Sequence, residues 1–362
     1  MDLTAQQSLP RKEAELEQYF KQHFVDLAGV RVGGKAQSCS DDFFAPMSNL
    51  LKPGRGVFIE DKYTDRGKWM DGWESRRSYG RTPPRAHVKE DGREFDWCII
   101  ALGIPGNIQG FDIDTNYFRG NAPQSVSIEG CYCEGEPKEN TKWELLLPET
   151  KVTAHRQNPF QIKNDGHWTH VRLNIFPDGG VARLRVYGEA VMDWTNKSNQ
   201  QTLDLAAIVN GAKVLQVSDM FFSDKNNLIM PGKAKNMGDG WETKRRRDPG
   251  PDWSIIQLAH RGFLEKIIVD TQHFKGNFPD RFLIEGLDLS EPQDVQSIMQ
   301  GNWQCIIAET HLNADSEHSF EKPFQIESSQ PITHIRLSIF PDGGVARLRV
   351  FGQPYIHTKE GS

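Results

Sequence analysis

The sequence predicts an all-β protein: an antiparallel jelly-roll β-sandwich, present twice in tandem behind a short N-terminal helix. Three observations carry this. The twelve residues Ile175–Val186, IFPDGGVARLRV, recur unchanged at Ile339–Val350, so the chain contains an internal duplication. Short apolar runs separated by Gly, Pro and Asn recur through both halves, with no helical periodicity between them. Strands that follow one another without intervening helices pack as a sandwich or barrel.

The helix comes first. Over Pro10–Phe24, Leu16, Phe20 and Phe24 fall on one stripe of a 3.6-residue period. The duplicated body begins at Asp26-Leu27-Ala28, answered by Asp204-Leu205-Ala206. Ser40-Asp41, Phe43-Phe44 and Pro53-Gly54 correspond to Ser218-Asp219, Phe221-Phe222 and Pro231-Gly232. Asp71-Gly72-Trp73-Glu74 corresponds to Asp239-Gly240-Trp241-Glu242, and Asp114-Thr115, Phe118, Gly120-Asn121 and Pro123 to Asp270-Thr271, Phe274, Gly276-Asn277 and Pro279. The spacing starts at 178 residues, falls to 156 at Asp114/Asp270 and ends at 164 along the repeat, as expected where surface loops differ in length. These matches divide the chain into a helical extension at 1–25, a first repeat at 26–188, a linker at 189–203, a second repeat at 204–352 and a tail at 353–362.

Within a repeat, Cys98–Leu102, Ser125–Ile128 and Trp143–Leu147 read as strands, with counterparts Ser254–Leu258, Arg281–Ile284 and Trp303–Ile307. Residues 170–176 and 182–187 alternate apolar and polar on either side of Pro177-Asp178-Gly179-Gly180. That pattern predicts a β-hairpin whose polar face carries His170, Arg172, Arg183 and Arg185.

Composition narrows the partners. Charged residues make up 25 % and the net charge is −6, which disfavours nucleic acid. No segment is long and apolar enough for a signal peptide or a membrane span. Five cysteines, Cys39, Cys98, Cys131, Cys133 and Cys305, lack C-x-x-C spacing and read as reduced thiols of a cytoplasmic protein. No cofactor fingerprint stands in a fitting context. No metal is expected either: His167 and His170, three apart on a strand, point to opposite faces.

Candidate chemistry concentrates in the duplicated charged loops. Met70–Arg77, MDGWESRR, gathers two carboxylates, an indole and two guanidinia, and Gly238–Arg245 repeats the set. A cation can hold a carboxylate ligand while Glu or Asp moves a proton. The same residues can equally form a loop plugged by Trp and closed by a Glu–Arg pair. Ser40–Ala45, SDDFFA, and Ser218–Ser223 place an aspartate beside aromatics, either as an amide acceptor or as a turn. The arginine-bearing strand face suits a small carboxylate, or is a solvated face.

Taken together, SDDFFAP at Ser40–Pro46, MDGWESRR at Met70–Arg77, FDIDTNYFRGNAP at Phe111–Pro123 and the doubled IFPDGGVARLRV resemble the allantoicase family over nearly the whole chain. The resemblance implies tandem jelly rolls of the galactose-binding-like type, a homo-oligomer, and hydrolysis of allantoate to ureidoglycolate and urea. Matched onto that activity, Asp71 or Glu74, and Asp239 or Glu242, are the general-base candidates. Asp41, Trp73, Arg76, Arg77, His170 and Arg183 are the substrate-binding candidates in the first repeat. Asp219, Trp241, Lys244, Arg245, His334 and Arg347 are their counterparts. The repeats differ where Met220 replaces Asp42 and Lys244 replaces Arg76, so they need not be equally competent. The rival reading is a non-catalytic tandem module that binds a carbohydrate or other small ligand.

Overall fold

A single strand of 19 residues, Asp96–Asp114, organises the first repeat of the computed structural model, and Asp252–Asp270 does so in the second. The structure describes residues 13–77, 94–194, 198, 201–289, 291–325 and 330–356. Parts of the expected N-terminal helix, linker and C-terminal tail lie outside the described residues. The chain divides into two compact units, Met1–Val191 and Met192–Ser362.

The long strand crosses from one layer of the sandwich to the other. Its first part, Asp96–Ala101, runs antiparallel between Lys35–Cys39 and Trp168–Phe176. Ser125–Cys131 and Glu144–Lys151 extend that layer. Its second part, Gly106–Asp114, lies between Pro159–Gln161 and Arg183–Ala190, and Val25–Asp26 completes the second layer. The second repeat keeps the same order, with Ile332–Phe340 and Arg347–Pro354 on the two parts of its long strand. Alternation of buried and part-exposed residues along Asp96–Asp114 turns Cys98, Ile100, Ile104, Ile108, Phe111 and Ile113 into the core.

This arrangement bears out the all-β class and corrects the hairpin. Trp168–Phe176 and Arg183–Ala190 do not pair with each other; they pair with different parts of the long strand. Pro177-Asp178-Gly179-Gly180 therefore carries the chain from one layer to the other. Alternation reads the same for a hairpin and for a crossover between packed sheets, because both present one face to a core. His170 and Arg183 consequently belong to different layers.

The N-terminal helix spans Glu13–His23. It seats Leu16 and Phe20 against Tyr187, with the Phe20 and Tyr187 rings stacked at 5.2 Å. Gly110 makes room for it: a Cβ there would come within 2.2 Å of the Phe20 ring. The corresponding position of the second repeat is Lys266, paired with Glu321.

Candidate active site

The two-residue strand Trp73–Glu74 holds the duplicated DGWE motif at one end of the first sandwich. It pairs with Gly180–Val181, where the Pro-Asp-Gly-Gly turn ends, and bridges to Ala45 on its other side. Successive strand side chains point opposite ways. Trp73 is fully buried, with its indole N–H donating to the Asp41 carbonyl at 2.8 Å. Glu74 faces a cavity of about 610 Å³. There its Oε1 accepts from Asn121 Nδ2 at 2.7 Å. The Asn121 carbonyl in turn accepts from the Gly180 N–H at 2.8 Å, tying glutamate, amide and turn together.

Around Glu74 the cavity wall carries four cationic side chains, Arg66, Lys68, Arg76 and Arg77, with Phe43, Phe44 and Met70 as its apolar part. Arg76 is aimed by Asp41: its Nε donates to Asp41 Oδ2 at 2.7 Å, and its backbone N–H to Oδ1 at 2.8 Å. Burial alone would raise the Asp41 carboxyl, but these bonds outweigh it and hold it below its ordinary value. Arg66 donates to the Phe43 carbonyl at 2.9 Å and lies over the Phe43 ring. A concave wall with one carboxylate, one amide and several cations suits a small anion that also offers N–H donors.

Of the residues singled out by sequence, Glu74, Arg76 and Arg77 line this cavity, and Asp41 and Trp73 support it. Asp71 and Arg183 do not line it. They form a buried ion pair, Nη2 to Oδ2 at 2.6 Å, with the Val57 N–H donating to the same oxygen at 3.0 Å. Burial would raise the Asp71 carboxyl, yet Arg183, Val57 and Lys52 together lower it. A carboxylate so held is a poor proton acceptor, so the pair anchors the loop. His170 lies at the other end of its strand, six residues before Phe176, or roughly 20 Å away at 3.3 Å per residue. It is buried, and its imidazole is shifted toward the neutral form. The structure does not bring it to the cavity.

The second repeat reproduces the frame. The Trp241 indole N–H donates to the Asp219 carbonyl at 2.8 Å, and Lys244 Nζ lies 3.3 Å from Asp219 Oδ2. Glu242 accepts from Asn277 Nδ2. Asp239 pairs with the buried Arg347 at 3.6 Å, as Asp71 does with Arg183. Arg245 is exposed beside Lys244. His334 sits at the far end like His170, its imidazole lowered to about 4 by burial.

Sequence reasoning passed over Asn121 and Asn277 as site residues, although the doubled Gly-Asn pair marked them. It passed over Arg66 and Lys68 because duplication could not reveal them. Corresponding residues are 178 apart at Pro53/Pro231 and 168 apart at Asp71/Asp239, so the first repeat carries ten more residues here. This longer segment includes the small hairpin Tyr63–Thr64/Gly67–Lys68 that brings both cations to the wall.

Two β-sandwiches with a glutamate, an asparagine amide and cations at corresponding ends define a tandem-repeat protein built twice on one loop frame. The family model described as "Allantoicase repeat" matches twice, over residues 25–191 and 203–355. The chain is 44 % identical over 336 residues to a probable allantoicase of Pseudomonas paraeruginosa, covering 92 % of this chain and 97 % of that one. It is 46 % identical over 332 residues to a probable allantoicase of Pseudomonas fluorescens, covering 91 % and 96 %. The crystal structure of allantoicase from Saccharomyces cerevisiae superposes with a TM-score of 0.74 at 36 % identity, covering 94 % of this chain and 98 % of that one. The chain belongs to the allantoicase family.

Proposed function

We propose that this chain hydrolyses allantoate to ureidoglycolate and urea in purine degradation, and that Glu74 of the first repeat moves the protons. Family membership supports the reaction. The observation that carries the site is Glu74, fixed by Asn121 in a cavity walled by four cations.

Allantoate has two ureido groups and a carboxylate on one carbon. Arg76 and its neighbours hold the carboxylate, with a guanidinium fork setting its orientation. One ureido group leaves as urea, so the bond from the central carbon to its nitrogen breaks and that nitrogen gains a proton. The lone pair of the remaining ureido nitrogen assists the departure. Glu74 takes the N–H proton of that retained group and delivers it to the leaving nitrogen. Water then adds to the resulting imine, its hydroxyl going to carbon and its proton to the imine nitrogen. Asn121 keeps Glu74 within reach of both nitrogens, and Phe43, Phe44 and Met70 supply the apolar part of the wall. Asp239, Glu242 and their neighbours form the equivalent frame of the second repeat, without the extra cation-bearing hairpin. The five free thiols support a cytoplasmic location, and the family resemblance supports a homo-oligomer.

Incubation with allantoate should release urea and a glyoxylate-yielding product; folded protein that releases neither overturns the proposal. Glu74→Gln should lower kcat by about 10²- to 10⁴-fold, the usual contribution of a positioned acid–base group. Glu242→Gln should retain most turnover. Unchanged turnover in Glu74→Gln would reject the assignment of that carboxylate.

A further inference from the structure

At the end of the first sandwich remote from the cavity, sheet register sets His170 opposite Cys131. The chain leaving that strand returns Cys133 to the same place. Cys133 Sγ lies 3.4 Å from His170 Nδ1 and 4.0 Å from Cys131 Sγ. One donor atom from each residue lies within 4.8 Å of the others. Tetrahedral zinc, with bonds of about 2.3 Å to sulfur and about 2.0–2.1 Å to nitrogen, sets S···S and S···N edges of about 3.8 and 3.6 Å. The two edges found differ from these by roughly 0.2 Å each. A disulfide would need sulfurs about 2.05 Å apart, and all five cysteines are free thiols.

The second repeat acts as an internal control. There the matching histidine, His334, sits opposite Leu287. Thr333 Oγ1 lies 2.8 Å from His334 Nδ1 and accepts from the Leu289 N–H at 2.9 Å. The first repeat keeps this threonine–histidine frame, Thr169 Oγ1 lying 2.9 Å from His170 Nδ1 and accepting from the Cys133 N–H at 3.0 Å. The frame therefore does not require cysteine; leucines fill both places in the other copy. His170 is only 5 % exposed, so the Nδ1 that lies beside the thiols is shielded from bulk water.

We propose that Cys131, Cys133 and His170 bind one zinc-class divalent cation, with solvent in the fourth position, clasping the ends of Ser125–Cys131 and Trp168–Phe176. Two thiolates and an imidazole are a borderline-soft set that favours zinc over magnesium or calcium. Both thiols give up their protons to solvent as the ion binds, so affinity falls as pH falls. The negative charge of Glu136 also acts on His170 and adds to the attraction for a cation. His167, three residues from His170, is not one of the ligands. The strand-face argument weighed only His167 with His170 and so missed the set, because two ligands come from the neighbouring strand and its exit.

The test uses the full chain, reduced and stripped of metal with a chelator. Titrated cobalt(II) should saturate at one ion per chain, show a thiolate-to-cobalt charge-transfer band, and be displaced by zinc. The double variant Cys131→Leu/Cys133→Leu copies the second repeat and should fold. It should lose the band and bind zinc about 100-fold or more weakly, while allantoate turnover is unchanged. No charge-transfer band in the folded native chain, or an equal band in the double variant, would overturn the site.

Discussion

Glu74 shows how completely neighbours can fix the place of one strand residue. Trp73 anchors the strand in the core, so the next side chain must face the opposite way, and Asn121 fixes where it ends. Arg66 and Lys68 act at the rim of the same cavity. Replacing both with Gln should raise KM about tenfold, or ~1.4 kcal/mol, with little change in kcat, since they attract the anion without moving protons. Steady-state kinetics at low salt read that split. A second residue, Asp112, contributes to pH-dependent stability. Its carboxyl is pushed from 3.8 up to about 6, chiefly by burial and then by the charges of Asp114 and Glu17, against the bonds from Gln157 and Asn158. The folded state therefore holds this proton when the unfolded chain has released it, and stability falls as pH rises between about 4 and 6. The fall is about 2–3 kcal/mol. In Asp112→Asn that part of the pH dependence should vanish, which urea unfolding at a series of pH values would reveal. The Asn side chain can still accept from the Asn158 N–H, and a turned Gln157 amide can accept from it.

Among the elements, the Pro-Asp-Gly-Gly turn links fold and site most directly. Gly180 pairs with Glu74. A Cβ there would fall 2.0 Å from the Phe118 ring, and one at Gly344 would fall 1.9 Å from Phe274. No rotamer of the added methyl relieves such a clash, because Phe118 and Phe274 are themselves fully buried. Gly180→Ala should destabilise the first repeat by about 1–3 kcal/mol or more and displace Glu74, so kcat falls. Gly344→Ala should bring a similar loss of stability with turnover largely kept. Thermal unfolding and kinetics together separate the two. The turn was plain in the sequence; its connection was not. Alternation along 170–176 and 182–187 fixes which side chains are inward but not which strand lies alongside. Only the pairing with separate parts of one 19-residue strand showed a crossover instead of a hairpin.

For the whole molecule, duplication gave two similar sandwiches, and later differences made them unequal. The first has the helix Glu13–His23, the cation-bearing hairpin and the Cys131–Cys133–His170 cluster. Phe20, fully buried against Tyr187, belongs to the first unit alone. Phe20→Ala should lower its stability by about 3–5 kcal/mol, leaving the second unit's transition in place. Scanning calorimetry should therefore show one transition moving and the other fixed; a common shift would mean that the units unfold as one.

By itself the sequence determined the all-β class, the doubling, and the DGWE, SDxFF and PDGG motifs, because these are local or repeated and each repeat is written out along the chain. It marked Glu74, Arg76 and Arg77, and it also marked Asp71, Arg183 and His170, which are alike in residue type. Tertiary structure alone sorted them. Asp71 and Arg183 neutralise each other in the interior, His170 lies a strand's length away, Asn121 arrives from 47 residues beyond Glu74, and a short hairpin turns Arg66 and Lys68 onto the wall. Residue type states what a side chain can do; strand register and loop length decide what it meets.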